Sequence, residues 1–554
     1  MESKRLLLAA LLSLGVLFLW ERFGPKTPSR PAAAPPVTQP TAAPVPTAAA
    51  EPPPAAGAAG GAERIAGAEE RLTTIENSVA RATFSNRGAV LTSFVLRRHS
   101  DEARRPLELV HSTPDPSSKP LAVVFPGSAE LTKISSTALY AVEKVSGSSI
   151  RFRYADDRLR VTKEVRLGSE YLFDVQVDVV GGEYTLVVGT GLRNPSEKER
   201  GSSYVMPPTA VASTGGSVER IAGPKLKEHL EEERLPQVTW PLGPNEFAGI
   251  EDSYFLTVFA PKQPAAARIV PYDPPAASGA TPAKTTPVVS AGISARGKLD
   301  LRAFFGPKDV EILETTGLGL ERTVDLGWFG ILARPLLWLL KKAYTWTGNY
   351  GLAILLVTLL IRILIFPLMH KSYASMRKMQ KLAPKMNAIK DKYKKAKTDA
   401  AQRQKMNAEL MALYQAEGYN PMSGCFPVLL QLPILVAFYN VLSRAVELRH
   451  APFVFWIKDL SAVDRSYLLV ILMIVTMYIQ QAMTPSTIDP IQKKIFMAMP
   501  LLWGFMLKEM PSGLVLYWLF SNVLTILQQM LMNRMGRDED PKEGKPARLK
   551  PARA

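Results

Sequence analysis

Tyr350–Met369 reads YGLAILLVTLLIRILIFPLM, an apolar run with a single charge, Arg362. About 20 such residues are what a helix needs to cross the hydrocarbon core of a bilayer. The stretch is therefore read as a membrane span, and its arginine needs an explanation. An ionised Arg in mid-helix costs about 2.5–3.5 kcal/mol on insertion scales. No acidic residue stands in any other apolar run to neutralise it. At about two turns from the helix end it reaches the interface only in part. This chemistry points to a solvated cavity among the spans. The plainer alternative is that Arg362 caps polar groups on neighbouring helices.

Four more apolar runs follow: Gly424–Val446, Tyr467–Met483, Ile495–Leu507 and Ser512–Met532. The third is short enough to be re-entrant, and charge decides its reading. The segment 371–420 carries 12 Lys/Arg against 4 Asp/Glu, 447–466 carries three of each sign, and the tail after Asn533 carries 7 against 4. The positive-inside rule puts the first segment and the tail in the cytoplasm. Lys493 and Lys494 also belong inside, so only a spanning Ile495–Leu507 keeps the parity.

Near the N-terminus, Lys4 and Arg5 precede the apolar run Leu6–Trp20, which reads as a signal peptide or, since no small-x-small site follows directly, an uncleaved anchor over residues 1–22. With it the chain has six spans. Residues 23–62 are rich in Pro and Ala, cannot bury a core, and read as an extended tether. Residues 63–320 have soluble composition. Phe173, Val175, Val177 and Val179 alternate with Asp174, Gln176 and Asp178, the period-two pattern of a half-buried strand. A weaker version in Phe84–Leu96 breaks at Asn86-Arg87-Gly88. A β-sandwich is expected, interrupted by a helical stretch at Lys225–Glu233 and a Pro-rich loop at Pro271–Pro287. The single cysteine, Cys425, excludes an intrachain disulfide. Within 321–349, Trp328, Trp338, Tyr344 and Trp346 mix with Arg334, Lys341 and Lys342, the composition of an amphipathic helix on the membrane surface.

The net charge of +17 suggests anionic partners. Much of it lies in the hairpin-like segment 371–420, where Arg377, Lys378, Lys381, Lys385, Lys392, Lys394 and Lys395 read as an exposed basic helix pair facing anionic lipid or ribosomal RNA. Ordinary positive-inside bias explains part of this charge. Pro384 is expected to interrupt the first helix or mark its restart. Asp399–Glu417, with Met406, Leu410, Leu413 and Tyr414 at helical spacing, is the second. Within the spans, Thr358 lies one turn before Arg362. Gln431, Gln480, Gln481, Ser521 and Asn522 add amides and hydroxyls that alone would read as interhelical glue. Enzyme signatures are weak. Gly292–Leu299 nearly fits a phosphate-binding loop but lacks its final Ser/Thr. His99, His111, His229, His370 and His450 are scattered, so no metal or cofactor is expected.

The segments RILIFPLMHKSYASMRKMQKLAPKM, NPMSGCFPVLLQLPILVAFYNVL, ELRHAPFVFWIKDLSA, ILMIVTMYIQQAMTP and PSGLVLYWLFSNVLTILQQ resemble, in order, the conserved core of the YidC family. FSNRGAVLTSFVL and FFGPKDVEIL are a looser match to its Gram-negative branch. The resemblance implies a helical polytopic membrane protein with a large periplasmic β-supersandwich and a five-helix core over 350–532. It implies an insertase and chaperone that is not an enzyme and acts alone or with the Sec translocon. Newly made inner-membrane proteins, the ribosome and anionic phospholipids would be its partners. Both termini, including the tail 533–554, would be cytoplasmic. Arg362 matches the family's groove arginine and Thr358 a groove threonine. Gln481 falls near a groove glutamine. Tyr517 and Trp518 fall where substrate-contacting aromatics are placed, although the branch commonly has two tyrosines there. Asn522 completes the expected groove set. A solute transporter and an outer sugar-binding module are the competing readings, but neither an inverted repeat nor a charge relay supports the first.

Overall fold

The computed structural model describes residues 64–194, 199, 205–272, 288–393, 399–418, 426–483 and 490–538. The expected anchor, the tether, most of the Pro-rich loop, Cys425, Lys394, Lys395 and the end of the tail lie outside them. The described residues fall into two compact units that divide between Val324 and Asp325.

The first unit is built from antiparallel strands. A four-stranded sheet joins β1 (Leu72–Glu76), β2 (Ala80–Ser85), β3 (Val90–Ser100) and β4 (Pro106–Glu108) in sequence order. The second sheet has twelve strands: β5 (Val123–Val124), β6 (Ala141–Ser146), β7 (Ser149–Ala155), β8 (Arg160–Leu167), β9 (Leu172–Thr190), β10 (Thr209–Thr214), β11 (Ser217–Ala222), β12 (Val238–Leu242), β13 (Ala248–Glu251), β14 (Phe255–Pro261), β15 (Ala265–Tyr272) and β16 (Val288–Pro307). Its main path runs β11-β10-β13-β14-β16-β9-β8-β7-β6. Three short helices, α1 (Ala129–Thr137), α2 (Gly223–Glu233) and α3 (Val310–Thr315), decorate the sheets.

The alternation read in the sequence is the burial pattern of β9: Phe173, Val175, Val177 and Val179 are buried, while Asp174, Gln176 and Asp178 are exposed. The sheets meet through aromatic rings. Phe94 lies 5.5 Å from both Phe173 and Phe305, and Phe84 lies 6.4 Å from Phe173. Burying each such ring contributes about 1.5–3 kcal/mol. The Asn86-Arg87-Gly88 break is a turn between β2 and β3. Gly88 has φ +71°, and a Cβ there would sit 2.6 Å from the Ser136 carbonyl oxygen, so both conformation and space require glycine. The near-match to a phosphate loop is no loop: Gly292–Leu299 lies inside β16, paired with β9. Its Gly297, with φ +69°, marks a register shift against β9.

The unit also holds a buried ionic cluster that no local pattern announced. Glu251 accepts from Arg220 at 2.5 Å and from Lys308 at 3.0 Å, and Asp252 accepts from Arg193 at 2.5 Å.

The second unit is helical among the described residues. It contains α4 (Gly330–Thr347), α5 (Tyr350–Lys392), α6 (Ala400–Ala416), α7 (Phe426–Arg444), α8 (Leu468–Met483), α9 (Pro490–Leu507) and α10 (Ser512–Asp538). By length and composition, Tyr350–Ser375 and Ser512–Arg534 are able to cross a membrane. Leu468–Met483 and Phe496–Leu507 are shorter apolar helices. The α4 helix is amphipathic as expected. Ala333, Leu336, Leu337, Leu340 and Ala343 are buried, while Trp338 and Trp346 on the helix, and Trp328 just before it, are exposed.

Pro384 does not interrupt the first hairpin helix. The α5 helix runs unbroken for 43 residues through both Pro367 and Pro384. A proline removes one backbone hydrogen bond and crowds the preceding turn. Around Pro384 that cost is offset by Leu382 and Met386, which pack against Leu410, Leu413 and Tyr414 of α6.

Candidate functional site: a polar cluster around Arg362

Asn349 starts α5 by accepting from the Leu352 amide at 3.1 Å, and three turns later the helix presents Arg362 to α10. Arg362 as a whole residue is half-buried. Its Nη2 donates to the Ser521 carbonyl oxygen at 3.2 Å and also to the Ser521 hydroxyl. Among the described residues it forms no ion pair with a carboxylate. One nitrogen is thus anchored to α10, and the guanidinium's remaining donors have no described protein partner.

Ser521 lies one turn after Tyr517 on α10. Tyr517 is buried, its ring stacks on Phe438 of α7 at 4.2 Å, and its hydroxyl accepts from Gln431 Nε2 at 2.9 Å. Arg362, Ser521, Tyr517 and Gln431 therefore join α5, α10 and α7 through polar contacts. Thr358 is on the same face of α5 and is buried, but its hydroxyl donates to the Ile354 carbonyl at 2.6 Å within the helix.

The other residues expected in the groove do not join this cluster. Asn522 Nδ2 donates to Thr476 of α8 at 3.3 Å, and Gln481 Nε2 donates to the Phe496 carbonyl of α9 at 2.7 Å. Trp518 is half-buried against Trp503 of α9, with ring centroids 5.3 Å apart. These three tie α8, α9 and α10 together. Ser521 and Gln431, which the sequence offered only as intramembrane polar groups, stand at the centre instead. Helical spacing from Tyr517 was the available signal for Ser521.

Two of the expected basic residues are engaged within the hairpin of α5 and α6. Lys385 pairs with Glu417 at 2.6 Å and Lys392 with Glu409 at 2.9 Å. The bond to Glu409 holds the Lys392 ammonium above its ordinary value and the Glu409 carboxyl below its own. Lys381 is exposed on the same helix. Arg377 and Lys378 lie on α5, and their side chains are outside the described set.

The connection from α7 to α8 closes over the starts of two long helices. Its Asp459 carboxylate accepts from the His450 and Ser461 amides at 3.1 and 2.8 Å, from the Ser461 hydroxyl at 2.7 Å, and lies 2.9 Å from His450 Nδ1. Burial alone would raise this carboxyl, yet the bonds from His450 and Ser461 hold it below the ordinary carboxylate range. Ser512, at the start of α10, donates to the Asp459 and Ala462 carbonyls at 2.7 and 2.6 Å. Asn349, at the start of α5, donates to the Phe453 carbonyl at 3.2 Å.

The family described as 60Kd inner membrane protein matches residues 342–539, and the YidC periplasmic domain matches residues 72–339. The membrane protein insertase YidC of Geotalea daltonii is 35% identical over 561 residues, which cover 96% of this chain and 99% of that one. The chain belongs to the YidC family of membrane protein insertases. The YidC of Geobacter sulfurreducens is 51% identical over 236 residues, 43% of each chain. Among solved structures, the chain is similar to an active YidC insertase crystal structure with the first transmembrane domain resolved. The identity is 19%, the TM-score is 0.36, and the match covers 84% of this chain and 93% of that one. As a YidC-family protein the chain is an insertase of the inner membrane and not an enzyme. Its strand-rich unit is the periplasmic β-sandwich domain, and its second unit is the helical core.

Proposed function

We propose that this chain inserts newly made inner-membrane proteins, and helps them fold, through a polar groove around Arg362 that opens to the cytoplasm and to lipid. The observation that carries this reading is the mid-helix guanidinium, held on one side by Ser521 and paired with no carboxylate among the described residues. An arginine left so in hydrocarbon is costly, and water in a groove relieves that cost. A client's polar tail or loop enters and is solvated beside Arg362. Its apolar segment then passes Tyr517 and Trp518 into lipid. Twenty apolar residues supply roughly −6 to −12 kcal/mol at about −0.3 to −0.6 each, which offsets a few translocated polar groups without nucleotide hydrolysis. The membrane potential adds about 2.3 kcal/mol per charge per 100 mV.

The proposed layout is an anchor (1–22), a tether (23–62), a periplasmic domain (63–320), an interfacial helix (321–349), a five-span core (350–532) and a basic tail (533–554). Both termini are cytoplasmic. Thr358, Gln481 and Asn522 act by fixing the helices around the groove. The basic hairpin 371–420, with 12 Lys/Arg against 4 acidic residues, supports contact with ribosomes and anionic phospholipids. The chain acts alone or with the Sec translocon.

Arg362→Ala lowers insertion of a small client roughly tenfold or more, because a charge-assisted hydrogen bond is worth about 1.5–3 kcal/mol. Thr525, one turn beyond Ser521, is the place for a solvent probe. With Cys425→Ser as background, Thr525→Cys reacts with a membrane-impermeant maleimide added from the cytoplasmic side. A dry, unreactive position there removes the groove.

A further inference from the structure

We propose that Val454, Phe455 and Trp456, in the connection from α7 to α8, form a wedge seated in the periplasmic leaflet of the bilayer, with lipid covering it. The proposal rests on the topology put forward above, which places this connection outside. Phe455 is 89% exposed. Its exposure is built in. The amide of Phe453 donates to the Ile457 carbonyl at 3.0 Å, and the Ile457 amide to the Val454 carbonyl at 3.2 Å, which closes a tight loop. Phe453 packs on Gly351 at the start of α5, where a Cβ would lie 2.0 Å from its ring, and Ile457 is buried. With both flanks held inward, Phe455 takes φ +56°, a left-handed backbone that a bulky side chain rarely adopts, and its ring is turned out.

The surroundings name the occupant. The loop sits at the start of a helix long enough to cross a membrane, whose Leu352 and Leu356 are exposed on its first two turns. The Trp456 ring stacks beside Phe455 at 6.1 Å, and its Nε1 donates to Asp464 at 3.5 Å. A ring with an apolar body and a tethered polar edge suits the headgroup boundary. Lys458 and Arg465, both exposed close by, carry the charge that lipid phosphates attract. Asp459, bonded to both His450 and Ser461, keeps the loop rigid enough to present the wedge.

The test uses the full chain with Cys425→Ser and a single new cysteine, Phe455→Cys or Lys458→Cys. Each is spin-labelled in liposomes of phosphatidylethanolamine and phosphatidylglycerol. The expected result is that the label at 455 collides mainly with lipid-soluble oxygen and the label at 458 mainly with a water-soluble nickel chelate. Equal nickel access at both positions overturns the wedge. Shielding of 455 in native membranes but not in these liposomes assigns the patch to a protein partner and also overturns it. Sidedness is read separately, with an impermeant maleimide added to spheroplasts. Failure to label Lys458→Cys from outside overturns the topology beneath the proposal, whereas a labelled 458 with a water-exposed 455 overturns the wedge alone.

Discussion

Arg362 and Lys163 both pair with no carboxylate among the described residues, and each is accommodated differently. Arg362 is tied to α10 by one nitrogen. Lys163 of β8 is fully enclosed, and its Nζ donates to the carbonyls of Gly88, Ala89 and Leu121 at 2.9, 3.0 and 2.7 Å. Burial pushes this ammonium down to about 7 from its ordinary 10.5. Between those values the unfolded chain keeps the proton and the folded chain does not, which leaves the buried amine two N–H groups for its three carbonyl neighbours. The β-sandwich unit therefore gains stability from this group as pH rises through that window, and loses it as pH falls toward 7. Lys163→Met removes that slope and strands three carbonyls, at a cost of about 2–4 kcal/mol. Urea unfolding of the full chain, followed by hydrogen exchange in β8 at neutral and alkaline pH, measures both effects. Lys163 was legible in principle: it shares the inward phase of β8 with Val161 and Val165. The Arg362 partner was not legible, because Ser521 lies 159 residues along the chain and only helix packing brings it near.

At the scale of elements, periodicity carried most of the reading. The β9 alternation and the apolar runs of α5, α8 and α10 are where the sequence puts them. Contacts between elements set the exceptions. Tertiary packing carries α5 through Pro384, and pairing with β9 makes Gly292–Leu299 part of a strand. Gln481 and Asn522 are polar residues inside apolar helices, and nothing in one sequence tells a groove-facing amide from one that bridges two helices. In the structure each bonds to a neighbouring helix. The α8–α9 contact is close: a Cβ on Gly504 would lie 2.3 Å from Ile474 Cδ1. Gly504→Leu forces these helices apart at a cost of about 1–3 kcal/mol. A fall in the melting temperature of the detergent-solubilised protein reports it, and an unchanged melt shows that the pair has slack.

For the whole molecule, the division between Val324 and Asp325 separates two units that each hold their own core. The sandwich depends on burial from water, whereas the helical unit keeps many large apolar side chains at its surface, among them Leu364, Phe505 and Leu527. Urea is thus expected to unfold the first unit in a transition of its own while the second stays folded in detergent. Circular dichroism in the strand and helix regions separates the two, and a single coincident transition contradicts the division. One element has a mechanical consequence for the full assembly. At 1.5 Å per residue the 43-residue α5 is about 65 Å long, roughly twice the hydrocarbon thickness. It works as a crankshaft. A load applied to its C-terminal end, where Leu382 and Met386 pack on α6, is delivered to the turn that carries the arginine with no break in the helix between them.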